Sequence, residues 1–179
     1  MPHCDTFRFV YDFVCTWAPY AIGYAFAVVP GALWPVARPI WQLYGRDRAE
    51  KKDHHDPFIG RLMGQVERPL YVAAFLANEP TFVGIWLGLK TAGGWKRWQD
   101  EIKLKDGGGA ISGRTVFNVM LIGSAVLVAY GWVGAYIVRT LEHHNWQSAV
   151  VVSVALLLAH LCLYGWLRGK VPAEGSRNP

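Results

Sequence analysis

An acid beside a proline, Asn78-Glu79-Pro80, interrupts the apolar run LANEPTFVGIWL (residues 76–87). An ionisable group at the centre of a bilayer costs about 2.5–3.5 kcal/mol even on lenient insertion scales, so a functional role is the default hypothesis for it. Asn78 suits the cap of a starting helix, and Pro80 suits its first turn while disfavouring helix before it. The exposed amides of such a half-helix favour a negative charge. Broken helices that meet at mid-depth are the usual architecture of ion and substrate sites in transporters. Glu79 and Asn78 are therefore the expected mid-membrane polar site. The competing reading is structural: Glu79 caps its own helix or pairs with a buried arginine.

Other residues with chemical potential carry less. His54 and His55, flanked by Asp53 and Asp56, and His143 and His144, preceded by Glu142, have the side-chain types that hold zinc or iron. Neighbouring histidines in a polar loop rarely face one ion, and neither cluster has helical H-x-x-x-H or H-E-x-x-H spacing, so no metal is expected. His160 lies inside the last apolar segment, where it either relays protons with Glu79 or donates a hydrogen bond to a neighbouring helix. The expected set of catalytic residues is none: there is no G-x-S-x-G elbow, no G-x-x-x-x-G-K phosphate loop and no serine with a defensible base. No cofactor is implied. Cys4, Cys15 and Cys162 are isolated, without CxxC spacing, and read as small packing residues.

The elements that must position these residues are membrane helices. Of 179 residues, 53% are hydrophobic and 9 are tryptophan, and the apolar positions form long blocks instead of a soluble periodicity. The chain is expected to be an all-α integral membrane protein, a single polytopic domain over residues 1–179. Spans are expected at about residues 9–30, 116–138 and 147–166. The opening stretch lacks a basic n-region and a cleavage pattern and reads as a retained first helix. Trp95, Trp98 and Ile102, ringed by basic residues, mark a short amphipathic helix over about 95–105, lying on an anionic leaflet.

The segment over about 69–94 admits two topologies. As one span it makes four transmembrane helices and divides Lys and Arg ten against eight between the faces. Broken or re-entrant at residues 78–80, it leaves three spans and gives sixteen against two, which the positive-inside tendency favours. The arms, 69–77 and 81–93, are about 14 and 20 Å of helix and reach roughly mid-depth. Counting back from the turn, Glu67 or Arg68 meets Lys90 at the cytoplasmic mouth.

The order G-x-x-E-R (residues 64–68), V-G-I-W-L-x-L-K (83–90) and R-x-x-F-N-x-x-L-I-G (114–123) resembles a class of small uncharacterised bacterial inner-membrane proteins. The resemblance implies a bacterial membrane origin and no particular chemistry. It adds Arg114 and Asn118 to Glu67, Arg68 and Lys90 as polar residues near one face. The leading functional expectation is a transport or pore-forming protein acting as an oligomer. The alternative is a non-catalytic accessory or scaffolding subunit of a larger membrane complex, and a membrane-embedded enzyme acting on lipid or quinone comes third. Expected partners are anionic lipid headgroups and either further copies or other membrane subunits, with no nucleic acid.

Overall fold

A computed structural model describes residues 3–33, 36–43, 57–99, 102–103 and 110–171. In chain order these form α1 (His3–Leu33), α2 (Ala37–Leu43), α3 (Pro57–Leu76), α4 (Pro80–Gln99), a two-residue strand β1 (Ile102–Lys103) paired antiparallel with β2 (Ala110–Ile111), α5 (Gly113–Glu142) and α6 (Trp146–Lys170). The segment Phe13–Pro30 of α1 and the whole of α5 and α6 are long and apolar enough to cross a membrane. The protein is an all-α integral membrane protein.

Helix α5 is the hub, packed against α1, α3, α4 and α6. Its closest approaches are made by glycine. A Cβ on Gly134 would stand 2.7 Å from the Gly23 carbonyl oxygen of α1, and a Cβ on Gly131 would stand 2.6 Å from Cβ of Tyr71 on α3. Small residues let helix backbones meet where lipid offers no hydrophobic drive to association. Ala27, Val72 and Ala135 fill the contact around Gly134. Further along, Val133, Ile137 and Ala149 seat α6 on α5, while Val36, just before α2, and Ile40 of α2 meet Val119 and Leu167.

These contacts set the directions. Tyr71 faces Gly131 and Val72 faces Gly134, while Arg139 Nη2 donates to the Phe75 carbonyl at 2.6 Å, so α3 runs parallel to α5. Gly23 faces Gly134 and Val138, and Phe26 packs on Tyr130, so α1 runs antiparallel to it. The turn joining α3 to α4 therefore lies at the same end of the bundle as the turn joining α5 to α6. The far ends of α3 and α4 lie with the start of α5 and the end of α6.

Both turns use one hydrogen-bonding scheme. The Glu79 amide donates to Ala74 O and the Asn78 amide to Phe75 O; the Asn145 amide donates to Thr140 O and the His144 amide to Leu141 O. Each is a Schellman closure, with Asn78 (φ 61°) and His144 (φ 57°) in the left-handed region at the position after the helix cap. Asn78 thus ends α3 and does not cap α4, a correction to the expectation. Its short polar side chain tolerates the left-handed backbone that closes the preceding helix.

Three other expectations change. The arms flanking the turn are longer than 69–77 and 81–93: α3 and α4 have 20 residues each, about 30 Å at 1.5 Å per residue, matching a hydrocarbon core instead of half of one. Of the segment 95–105, the described residues do not form a separate helix: 95–99 belong to α4, and residues 102–103 pair with 110–111. Cys15 and Cys162 are exposed on outer helix faces and do not pack in the core.

Candidate functional site

Glu67 and Lys90 stand equally far from the α3–α4 turn, one on each arm, so folding the hairpin brings them level. Lys90 Nζ lies 2.7 Å from both Glu67 carboxylate oxygens, and Trp86 Nε1, one turn before Lys90 on α4, donates to Oε1 at 3.1 Å. The Glu67 side chain is 0% exposed and that of Lys90 25%. A carboxylate withdrawn from water this completely requires a cation and further donors to offset its desolvation, and the two arms of one hairpin supply both.

Arg68 turns the other way, toward α1. Its Nη1 donates to Val28 O at 3.0 Å and to Gln65 Oε1 at 3.3 Å, both neutral acceptors. Tyr71 follows it by one turn on α3, and Tyr71, Tyr130 and Ser124, the last two on α5, are all buried. The edge of the His160 ring, from α6, meets Tyr130 at a centroid distance of 5.4 Å. Glu67, one helical turn before Tyr71, sits about 5.4 Å along the bundle from the Gly131 contact, near the level of Leu127, the middle of the uncharged stretch of α5.

Placement of the expected site residues differs from the sequence reading in depth. Glu79 is exposed in the turn, and Asn78 beside it is exposed too. Arg139, bonded to Phe75 O and Leu76 O just before that turn, ties the turn to the C-terminal end of α5, away from the bundle's middle. Glu67 and Arg68, expected at a mouth, are buried in the interior instead, and Lys90 beside Glu67 is half-buried. Arg114 and Asn118 are exposed near the start of α5, about 20 Å and 14 Å along that helix from the level of Glu67, and do not join it.

His143 and His144 lie on the exposed α5–α6 turn, where His143 Nδ1 is 2.7 Å from Arg139 O. His54 and His55 fall outside the described residues. Among the described residues, no group of three or more His, Cys, Asp and Glu could hold a metal ion. His160 and Glu79 are on different levels of the bundle, so the relay between them has no support in the geometry.

Trp86, Tyr71, Tyr130 and Ser124 were not singled out from the sequence. Trp86 had a signal, its spacing of four from Lys90 on one helix face. The tyrosines and the serine had none, because an aromatic or a serine in an apolar helix reads as packing until the neighbouring helices are known. Comparison with protein-family models, curated proteins and solved structures finds no match to this chain.

Proposed function

We propose that this protein is a transport or pore-forming protein of the bacterial inner membrane, acting as an oligomer, with Glu67 and Lys90 as its polar centre in place of Glu79. The observation that carries this reading is a fully buried carboxylate paired at 2.7 Å with a lysine, level with the middle of the uncharged stretch of a membrane-length helix. Charged groups at such depth pair with one another and mark ion or solute pathways. Lys90 keeps a quarter of its side chain exposed, so the pair is reachable from the outer side of α4. A path along that side would lie between copies of the chain, since one thin bundle encloses little volume. The basic ends of the bundle would face the cytoplasm and its anionic lipid.

A second reading, an accessory or scaffolding subunit, is favoured by one observation: Lys90 and Trp86 together give both oxygens of the Glu67 carboxylate a donor, as a structural staple would. Flux separates the two. Purified protein in lipid vesicles is assayed for proton, potassium and chloride movement, alongside Glu67→Gln and Lys90→Met. Flux through the wild type that falls at least tenfold in both variants, with oligomer size kept, supports transport. An inert wild type whose variants lose their assembly supports the scaffold.

A further inference from the structure

Four buried polar atoms in the bundle interior have no hydrogen-bond partner among the described residues: Arg68 Nε, Tyr71 Oη, Ser124 Oγ and Tyr130 Oη. Their residues are only 7%, 0%, 4% and 1% exposed. A buried donor left unmade is costly, so each such group in a native interior calls for an explanation. The four share a chemistry. Guanidinium can only donate, and the three hydroxyls can each turn a hydrogen toward an acceptor.

The helices bring these groups to one region. Arg68 and Tyr71 are a turn apart on α3, and Tyr71 packs on Gly131, the residue after Tyr130. Ser124 lies two turns before Gly131, on the same stripe of α5. Side chains on a helix lean toward its N-terminus, and α3 runs parallel to α5, so both tyrosine hydroxyls lean toward the level of Arg68 and Ser124. Arg68 lies near both Tyr130 and Glu67, and Tyr71 lies near Glu67.

Charge balance completes the argument. Among the described residues, Lys90 neutralises Glu67 by direct contact, whereas the guanidinium of Arg68 meets only a backbone carbonyl and an amide oxygen. This level of the bundle therefore carries one positive charge more than it neutralises, enclosed by hydroxyl donors. We infer that the bundle interior bounded by Arg68, Tyr71, Ser124 and Tyr130 binds a small monovalent anion of chloride size. Binding is a property of this interior and stands apart from whether the anion, or anything else, crosses the membrane.

The test reads binding alone. The full chain, purified in a neutral detergent, is unfolded by heat at constant ionic strength while chloride replaces gluconate, an anion too bulky for a helix interior. A ligand that binds only the folded state raises the midpoint, by about 5 °C or more once chloride exceeds its dissociation constant a hundredfold. Tyr130→Phe and Ser124→Ala, which keep the packing, should each weaken the apparent chloride affinity about 3- to 10-fold. Arg68→Gln should abolish the response, and the two conservative variants decide the matter if it does not fold. A midpoint indifferent to chloride would overturn the inference and assign these groups to water. A rise of equal size and affinity in the wild type and both conservative variants would overturn it as well, as a general salt effect. Vesicle flux without chloride binding, or chloride binding without flux, tells the failure of this inference from the failure of the transport reading.

Discussion

Glu67 is the residue on which the interior depends, and its partners make the dependence testable. Removing one member of a buried ion pair leaves the other charge uncompensated, at a cost of about 3–5 kcal/mol. Glu67→Gln and Lys90→Met should each lower stability by about that amount in detergent unfolding, while the double variant should lose clearly less than the sum. Additive losses would mean that the 2.7 Å contact carries no coupling. Trp86→Phe keeps an aromatic ring, though a smaller one, and removes one donor to the same carboxylate, so a smaller loss of about 1–2 kcal/mol is expected. The partnership of Glu67 with Lys90 could be counted out from the sequence, because they lie at equal distances from the turn. The depth of the pair could not. Depth follows from where α3 meets α5, and that is set by Gly131 and Tyr71, residues whose contact no local pattern announces.

At the scale of elements, the glycines of α5 separate two kinds of helix face. Gly134→Ala would push a methyl group to 2.7 Å from the backbone of α1, which cannot rotate away, so a loss of about 1–3 kcal/mol is expected. Gly84→Ala on the outer side of α4 meets nothing within 4 Å and should be neutral or stabilising by up to about 1 kcal/mol. The same unfolding measurement ranks both; equal effects would sink the packing account. The α3–α4 turn offers a second check. With its φ at 61°, Asn78→Gly should be tolerated, whereas Asn78→Val should cost about 1–2 kcal/mol. The existence of this break was legible in Asn-Glu-Pro. Its assignment was not, because asparagine serves both as a helix start and as a left-handed helix stop, and only the carbonyls of Ala74 and Phe75 decide between them. The expected boundary at residue 95 was misplaced for a related reason: the tryptophan spacing is also that of a longer α4, which continues through Gln99 before residues 102–103 pair with 110–111.

For the whole molecule, the bundle's polarity predicts sidedness. In a background lacking Cys4, Cys15 and Cys162, single cysteines replacing Glu79 and His144 should react alike with an impermeant thiol reagent in intact cells. A cysteine replacing Val171 should behave oppositely. Different behaviour of the first two would contradict the shared end at which both turns lie. The all-helical membrane class was legible in the apolar blocks, since a span needs little beyond length and composition. The hub position of α5 was not, because helices in lipid select neighbours by shape more than by hydrophobicity. The three-residue turns bear finally on how such a chain enters a membrane. A hairpin whose arms carry Glu67 and Lys90 supplies the counter-charge for its buried carboxylate from within itself, so α3 and α4 can partition together as one unit and draw only a short polar tip across. Arg68 takes its acceptor from Val28 of α1, which leaves the ribosome earlier. Insertion in chain order thus presents Glu67 with its counter-charge and Arg68 with a carbonyl acceptor at the time each is needed.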